Sequence, residues 1–546
     1  MMVALVSRSL FWAVILAVFL LPSVVQAQLS DITQTPNTEN VGIKKSLSDQ
    51  IGAGRGDVLT PGSSIFLIQR DPFRSISRGR QLFQRKFTVA QGFGPLTGDG
   101  IGDIEMDGSL GAGLVDSCAG CHSRPRGSAG VGGNVFTRPD SRDAPHLFGL
   151  GLQEMLADEI TSDLRGIREQ AIQEAQSGDG GDGGDDDDDD DDDDSGSPVT
   201  KVLESKGIHY GEITAFPDGS VDTSAVQGVN EDLRVRPFFA EGTTISIREF
   251  TVGALNAEMG LEAPDPDLAA ASSGGIVTTP AGMVLDGTQD DIEGPPVTSE
   301  MEDADGDGVV NEIPTSLVDH MEFYLLNYFK PATYRQNIPV LLGRIKFNQM
   351  GCNSCHMPEL LIEHDRRVAD VQTEFDSSSG IFNRLFAEAI PIFTETDDMS
   401  GFPTLKSPAG NAFLVRNIFT DFKRHDLGPN FWERNFDGTL QKEFMTEALW
   451  GVGTTLPYGH DGRSINLREV ILRHGGEAQS ARDNFANANG FRQRWVMAFL
   501  DSLVLFGPPD TASNLNPGDP MNPDFPQRGH GSIKLSVLFN DPNDPE

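Results

Sequence analysis

Helix-like apolar stretches are few and well separated, and long polar or glycine-rich intervals lie between them. Leu150–Ala175, Ile245–Leu261, Leu317–Phe329, Leu467–His474 and Phe491–Leu505 carry the main helical signal. Two shorter stretches share one pattern, Gly79-Arg80-Gln81-Leu82-Phe83 and Gly343-Arg344-Ile345-Lys346-Phe347. They read as two copies of a short helix ending in an aromatic residue, so the chain contains an internal repeat. One apolar run is of another kind. Leu10–Leu21 has no charge, follows Arg8, and stops at Pro22, with Val25-Gln26-Ala27 before Gln28. That is the layout of a secretory signal over residues 1–27, and it is shorter than the roughly 20 residues of a membrane span. The expected fold class is mainly α, with long loops.

Composition adjusts this picture. The hydrophobic fraction is 38%, with 60 Gly and 33 Pro, which points to a loop-rich protein rather than a dense helical bundle. Residues 28–74 are expected to be a flexible lead-in and 509–546 an extended tail. The formal charge is −39, and the ten consecutive aspartates Asp185–Asp194 supply a quarter of it. They sit in a segment, 177–197, made almost wholly of Gly, Asp and Ser, which cannot bury apolar surface and is expected to be a disordered insertion. So acidic a chain is not a nucleic-acid binder. The charge suits a basic electron-transfer partner, bound calcium, or solubility alone. Asp303-Ala304-Asp305-Gly306-Asp307-Gly308 opens like a calcium loop, but Pro314 stands where an EF-hand has its bidentate Glu. Glu312 is the substitute ligand. The choice is between a calcium site of Asp303, Asp305, Asp307 and Glu312 and a solvated acidic turn.

The chemistry lies in Cys118-Ala119-Gly120-Cys121-His122 and Cys352-Asn353-Ser354-Cys355-His356, two C-x-x-C-H motifs that use all four cysteines. In each, the thiols can add to the vinyl groups of one haem and the histidine can ligate its iron. Two covalent c-type haems are therefore expected, with His122 and His356 as proximal ligands. Two disulfides or a Cys/His zinc site fit the double motif poorly. Export to the periplasm or beyond suits haems attached outside the cytoplasmic membrane. With no other long apolar run, no stable membrane span is expected after signal cleavage. The repeat places one haem domain over 75–330, interrupted by the insertion, and a second over 331–508. A haem with a sixth protein ligand carries electrons, and an open one reacts with peroxide or oxygen. After His122 no His or Met occurs before His146. Either the first haem is open or His146, or a more distant side chain, closes it. The other histidines are His209, His320, His364, His425, His460, His474 and His530.

Further segments carry a family resemblance. They are Gly92-Phe93-Gly94-Pro95, Arg142-Asp143-Ala144-Pro145 followed by Gly149-Leu150-Gly151-Leu152, Asp303 to Glu312, His425-Asp426-Leu427-Gly428-Pro429, Tyr458-Gly459-His460-Asp461-Gly462-Arg463 and His474-Gly475-Gly476-Glu477-Ala478. In this order, across most of residues 75–506, the chain resembles the bacterial di-haem cytochrome c peroxidase superfamily, and more closely its di-haem oxidoreductase (putative peroxidase) family. The resemblance implies two cytochrome-c-like haem domains facing each other. It implies peroxide or oxygen chemistry at the first haem, electron relay through the second, and a small redox protein as donor or acceptor. His474, fourteen residues after His460, falls where the peroxidases place the distal ligand of the second haem, usually Met. A second imidazole there favours a lower potential. Asn256-Ala257-Glu258-Met259-Gly260 matches the family's acid–base glutamate, which makes Glu258 the catalytic candidate. Where the peroxidases have a Trp between the haems, this chain has Arg236-Pro237-Phe238-Phe239, and the distal His of many members has no obvious counterpart. These departures leave two alternatives beside a peroxidase: a di-haem oxygenase or protein-modifying oxidase, and a non-enzymatic di-haem electron carrier.

Overall fold

Among the described residues, eleven helices and a set of short antiparallel hairpins make up the computed structural model. It describes residues 53–94, 115–122, 128–132, 134–135, 142–177, 196–328, 332–333, 336–371, 373–376, 381–385, 390–435 and 438–505. The signal-like run, Gly178–Ser195 of the acidic insertion and the tail 509–546 lie outside the described residues.

The first two helices are α1 (Ser64–Arg70) and α2 (Pro72–Phe83). α1 falls inside the stretch expected to be a flexible lead-in, and the structure corrects that reading. The Ser63 hydroxyl caps α1 by accepting the Phe66 amide, and Phe66, Leu67 and Ile68 are buried. There follow α3 (Cys118–Cys121), α4 (Leu150–Ser177), α5 (Ile247–Met259), α6 (Pro266–Ser272) and α7 (Thr315–Asn327). The second half contributes α8 (Ile338–Gln349), α9 (Leu467–Arg473), α10 (Gln479–Ala486) and α11 (Gly490–Leu500). Every residue of α7 is buried, as befits a helix apolar on most of its circumference.

The repeat read from sequence is present in three dimensions. α2 packs on α7 and α8 packs on α11. A Cβ at Gly79 would lie 2.1 Å from the His320 carbonyl oxygen of α7, and one at Gly343 would lie 1.9 Å from that of Trp495 in α11. Each glycine thus lets two helices meet backbone to backbone. One turn further on, the Phe83 ring lies 6.4 Å from His122 and the Phe347 ring 6.0 Å from His356. Both haem motifs are therefore set against equivalent helix ends.

The mainly α expectation does not hold: among the described residues the helices are accompanied by several small antiparallel sheets. After the acidic insertion, β1 (Val199–Ser205), β2 (Ile208–Ala215) and β3 (Val221–Asp222) form a three-stranded sheet against α4. β1 and β2 are joined by Lys206-Gly207, both at positive φ (51° and 78°), the backbone a tight hairpin requires. In β2, Tyr210, Ile213 and Ala215 point inward while His209 and Glu212 are exposed. Farther on, β4 (Glu359–Ile362) pairs with β5 (Phe413–Arg416), and β6 (Arg424–Asp426) with β7 (Glu443–Met445). Intervals that read as loops are thus largely hairpins.

Packing also changes the two-domain picture. One hydrophobic cluster, including Leu82, Val252, Leu255, Leu261 and Val318, belongs to the first half alone. Another, including Val340, Phe347, Phe419, Leu467 and Phe499, belongs to the second. The largest is shared: Ile76, Leu156, Ile160 and Tyr324 of the first half pack with Leu360, Val368, Val415 and Trp450 of the second.

Candidate functional site

At the first motif, Ser117 caps α3 by accepting the Gly120 amide at 3.1 Å. Gly132 runs so close that a Cβ there would lie 1.1 Å from the Cys121 carbonyl oxygen. His122 donates its Nδ1–H to the Pro145 carbonyl at 2.7 Å, and burial lowers its pKa to about 4. The ring is therefore neutral, with the Nε2 lone pair available. At the second motif, Gly351 (φ 89°) turns the chain out of α8 into Cys352–Ser354. His356 donates Nδ1–H to the Phe419 carbonyl at 2.9 Å, and burial again lowers its pKa. A backbone acceptor on Nδ1 that fixes the tautomer is the usual outer support of a metal-bound histidine.

His474 has the same arrangement. It ends α9 and donates Nδ1–H to the Val470 carbonyl at 2.7 Å. Burial brings its pKa to about 4, and His356 lies near enough to lower it further. The motifs flanking His474 hold it in place. Buried Asp461 accepts from both Arg473 terminal nitrogens, at 3.1 and 2.5 Å. The Gly475 amide donates to the Leu427 carbonyl at 2.9 Å, and Glu477 accepts the Asp426 amide at 3.0 Å. His425 is clamped between Asp421 (2.9 Å from Nε2) and Glu477 (2.8 Å from Nδ1). Burial works against its charge, but Asp421 and the Cys355 sulfur outweigh burial and hold its pKa up at about 11.

His122, His356 and His474 line one continuous cavity of about 1660 Å³, together with Cys118 and Cys121 of the first motif and Cys352 and Cys355 of the second. Ordinary small-molecule sites occupy about 300–1,000 Å³. The cavity has room for more than one large cofactor, and its donor set fits haem. Burial pushes the thiols of Cys118 and Cys352 up to about 12 and that of Cys121 to about 11, so they are protonated rather than poised as reactive thiolates. None of the four is joined in a disulfide.

Glu258 stands in the last turn of α5 on the cavity wall, near enough to Cys121 for its charge to raise that thiol. Pro237, Phe238 and Phe239 also reach the cavity. His146 does as well, but both its ring nitrogens are committed: Nε2–H donates to the Trp450 carbonyl at 2.9 Å, and Nδ1 accepts the Phe148 amide at 3.2 Å.

Several cavity residues were not found from sequence. Trp450 is 2% exposed and packs against Gly149, where a Cβ would lie 2.5 Å from its ring. Nothing in its local sequence marks it. Phe444 and Glu447 were likewise not marked: Phe444 stacks on His460, already named by its motif, at 3.8 Å, and burial raises the carboxyl of neighbouring Glu447. Trp450 also completes a connection between the halves. Pro145 accepts from His122, the next residue His146 donates to Trp450, the Leu449 amide donates to the Ile418 carbonyl at 2.9 Å, and Phe419 accepts from His356.

The acidic loop lies apart from this cavity. Carboxylate oxygens of Asp303, Asp305 and Asp307 come within 4.8 Å of one another, and so do those of Asp305, Glu312 and Glu262.

Residues 360–503 match the family model described as "Di-haem oxidoreductase, putative peroxidase". The matched segment begins just after the second motif and contains Trp450, His460 and His474. No curated protein and no solved structure matches the chain. The chain is thus similar to peroxidase-type di-haem oxidoreductases over this segment, and the family's name implies haem as the cofactor.

Proposed function

We propose that the protein is an exported di-haem c-type oxidoreductase that reacts with hydrogen peroxide at the site of Cys118, Cys121 and His122. A second site, Cys352, Cys355, His356 and His474, would relay electrons. The observation that carries this reading is the single cavity shared by both motifs, with His122, His356 and His474 each tied through Nδ1 to a backbone carbonyl and keeping Nε2 for a metal. Haem iron, when bound, supplies the redox chemistry and the position at which peroxide is activated. The chain supplies the rest. The four cysteines would anchor the two groups and His122 would hold the first. His146 has both ring nitrogens hydrogen-bonded elsewhere and so would not serve as a ligand to it. Glu258 holds and moves the proton that the leaving oxygen needs. His356 and His474, both on the cavity wall, would hold the second group between them. The likeness to the di-haem cytochrome c peroxidase superfamily belongs to this proposal, as does a small redox protein as electron partner, for which the acidic surface would select a basic face.

The deciding measurement is haem content with spin state. Acid–acetone should extract no haem, the intact mass should include two, and oxidised protein should give one high-spin and one low-spin electron paramagnetic resonance signal. His474→Ala should convert the low-spin signal alone. A haem-free, zinc-containing protein would refute the proposal, and two low-spin signals with no reaction toward peroxide would make the chain an electron carrier.

A further inference from the structure

The loop Asp303–Glu312 and the chain just beyond α5 build a polar cluster that shares no residue with the cavity lining. Its two glutamates are almost fully enclosed: Glu262 is 2% exposed and Glu312 1%. One oxygen of Glu312 accepts the Glu262 amide at 2.6 Å, and the other, Oε1, is buried with no hydrogen-bond donor. Buried Asn311 Oδ1 beside it also has none. Gly92 presses on this carboxylate, where a Cβ would lie 2.1 Å from its carbon, so the group has little room to turn away. The charges that act on Glu312 most strongly are those of Asp305, Asp307 and Glu262, all of its own sign. Two enclosed carboxylates beside a third, with an oxygen left bare, form an arrangement that is strongly unfavourable unless a cation completes it.

We infer that Glu262, Asp303, Asp305, Asp307 and Glu312 bind a calcium ion. The donors are all carboxylate oxygens, with no nitrogen or sulfur among them, which selects a hard cation. A cage made wholly of protein oxygens favours calcium over magnesium, which keeps its waters. Glu262 is the ligand that sequence could not supply. It is held in place by accepting the amides of Ala304 (3.2 Å) and Asp305 (3.0 Å). Its own carbonyl accepts the Ile313 amide at 3.1 Å, just before α7 begins. The ion therefore fastens the end of α5, whose last turn carries Glu258, to the start of α7.

The test uses the full-length protein, stripped with EDTA and titrated with calcium chloride in a calorimeter, with melting temperature measured in parallel. The ten-aspartate tract also attracts cations, so the readout is the tight component that survives moderate salt. The parent should bind one tight calcium and melt at a higher temperature with it. Asp305→Asn and Glu312→Gln should each weaken that component at least about tenfold and remove the thermal shift, since affinity follows ligand charge. Asp305 lies on the partly exposed loop, so its variant decides the matter should Glu312→Gln not fold. Only weak, salt-sensitive binding by the parent, or unchanged tight binding by Asp305→Asn, would overturn the inference.

Discussion

Two side chains on the cavity wall can each be tested by a single substitution. Glu258 is the proposed acid–base group, and a well-positioned acid or base contributes about 10²–10⁴-fold. Glu258→Gln keeps the shape and removes the proton, so peroxide-driven oxidation should slow by that order, read by stopped flow, with haem content and resting spectra unchanged. His425 is held charged by Asp421, and while Cys355 is a free thiol its sulfur adds to this, raising the pKa from 6.5 to about 11. A raised value means that the stabilisation is complete below about pH 6.5 and is lost as the pH rises through the folded value, which falls once Cys355 is a thioether. The melting temperature of His425→Gln should therefore fall furthest below the parent near pH 6 and converge with it as the pH rises. At this scale the sequence was most readable where a motif fixes chemistry by spacing. Cys118, His122, Cys352, His356 and His474 are named by their neighbours and do meet on one cavity. Trp450 and Glu262 were not readable, because each owes its place to a partner far along the chain: Gly149 for one, Glu312 for the other.

Helix pairs show how a repeat can be legible while the strands are not. The glycine of Gly-Arg-x-x-Phe marks a backbone contact and its aromatic lies near the histidine of the C-x-x-C-H motif, so both positions are fixed by geometry and both copies keep them. Gly343→Ala must push α8 away from Trp495, and Gly79→Ala must push α2 from His320. Each should cost about 1–3 kcal/mol in chemical denaturation, the usual range for overpacking. Gly166, inside α4, is the control, since an added methyl there would meet nothing within 4 Å. Gly166→Ala should be neutral or stabilise by up to about 1 kcal/mol. Many of the hairpins, by contrast, are ladders of two to four residues drawn from Gly- and Pro-rich segments. Runs that short have no measurable period of alternation, which is why a mainly α chain was expected where the described residues hold many short strands.

Over the whole molecule, the shared core decides how the halves behave. With Leu156 and Ile160 packed in the same cluster as Leu360 and Trp450, neither half can lose its structure without exposing the other. Scanning calorimetry of the intact protein should show one cooperative transition, and two resolved transitions would mean that the halves are separable. The sequence revealed the two motifs but not this union, since Val368, Val371, Val415 and Ile418 join the core from strands and turns without any periodic signature. The line from His122 through Pro145, His146, Trp450, Leu449, Ile418 and Phe419 to His356 runs through backbone carbonyls and short peptide steps, with no long flexible side chain in it. It forms a strut between two anchors, so a displacement of one imidazole is passed toward the other through hydrogen bonds and rigid peptides rather than absorbed by a flexible side chain.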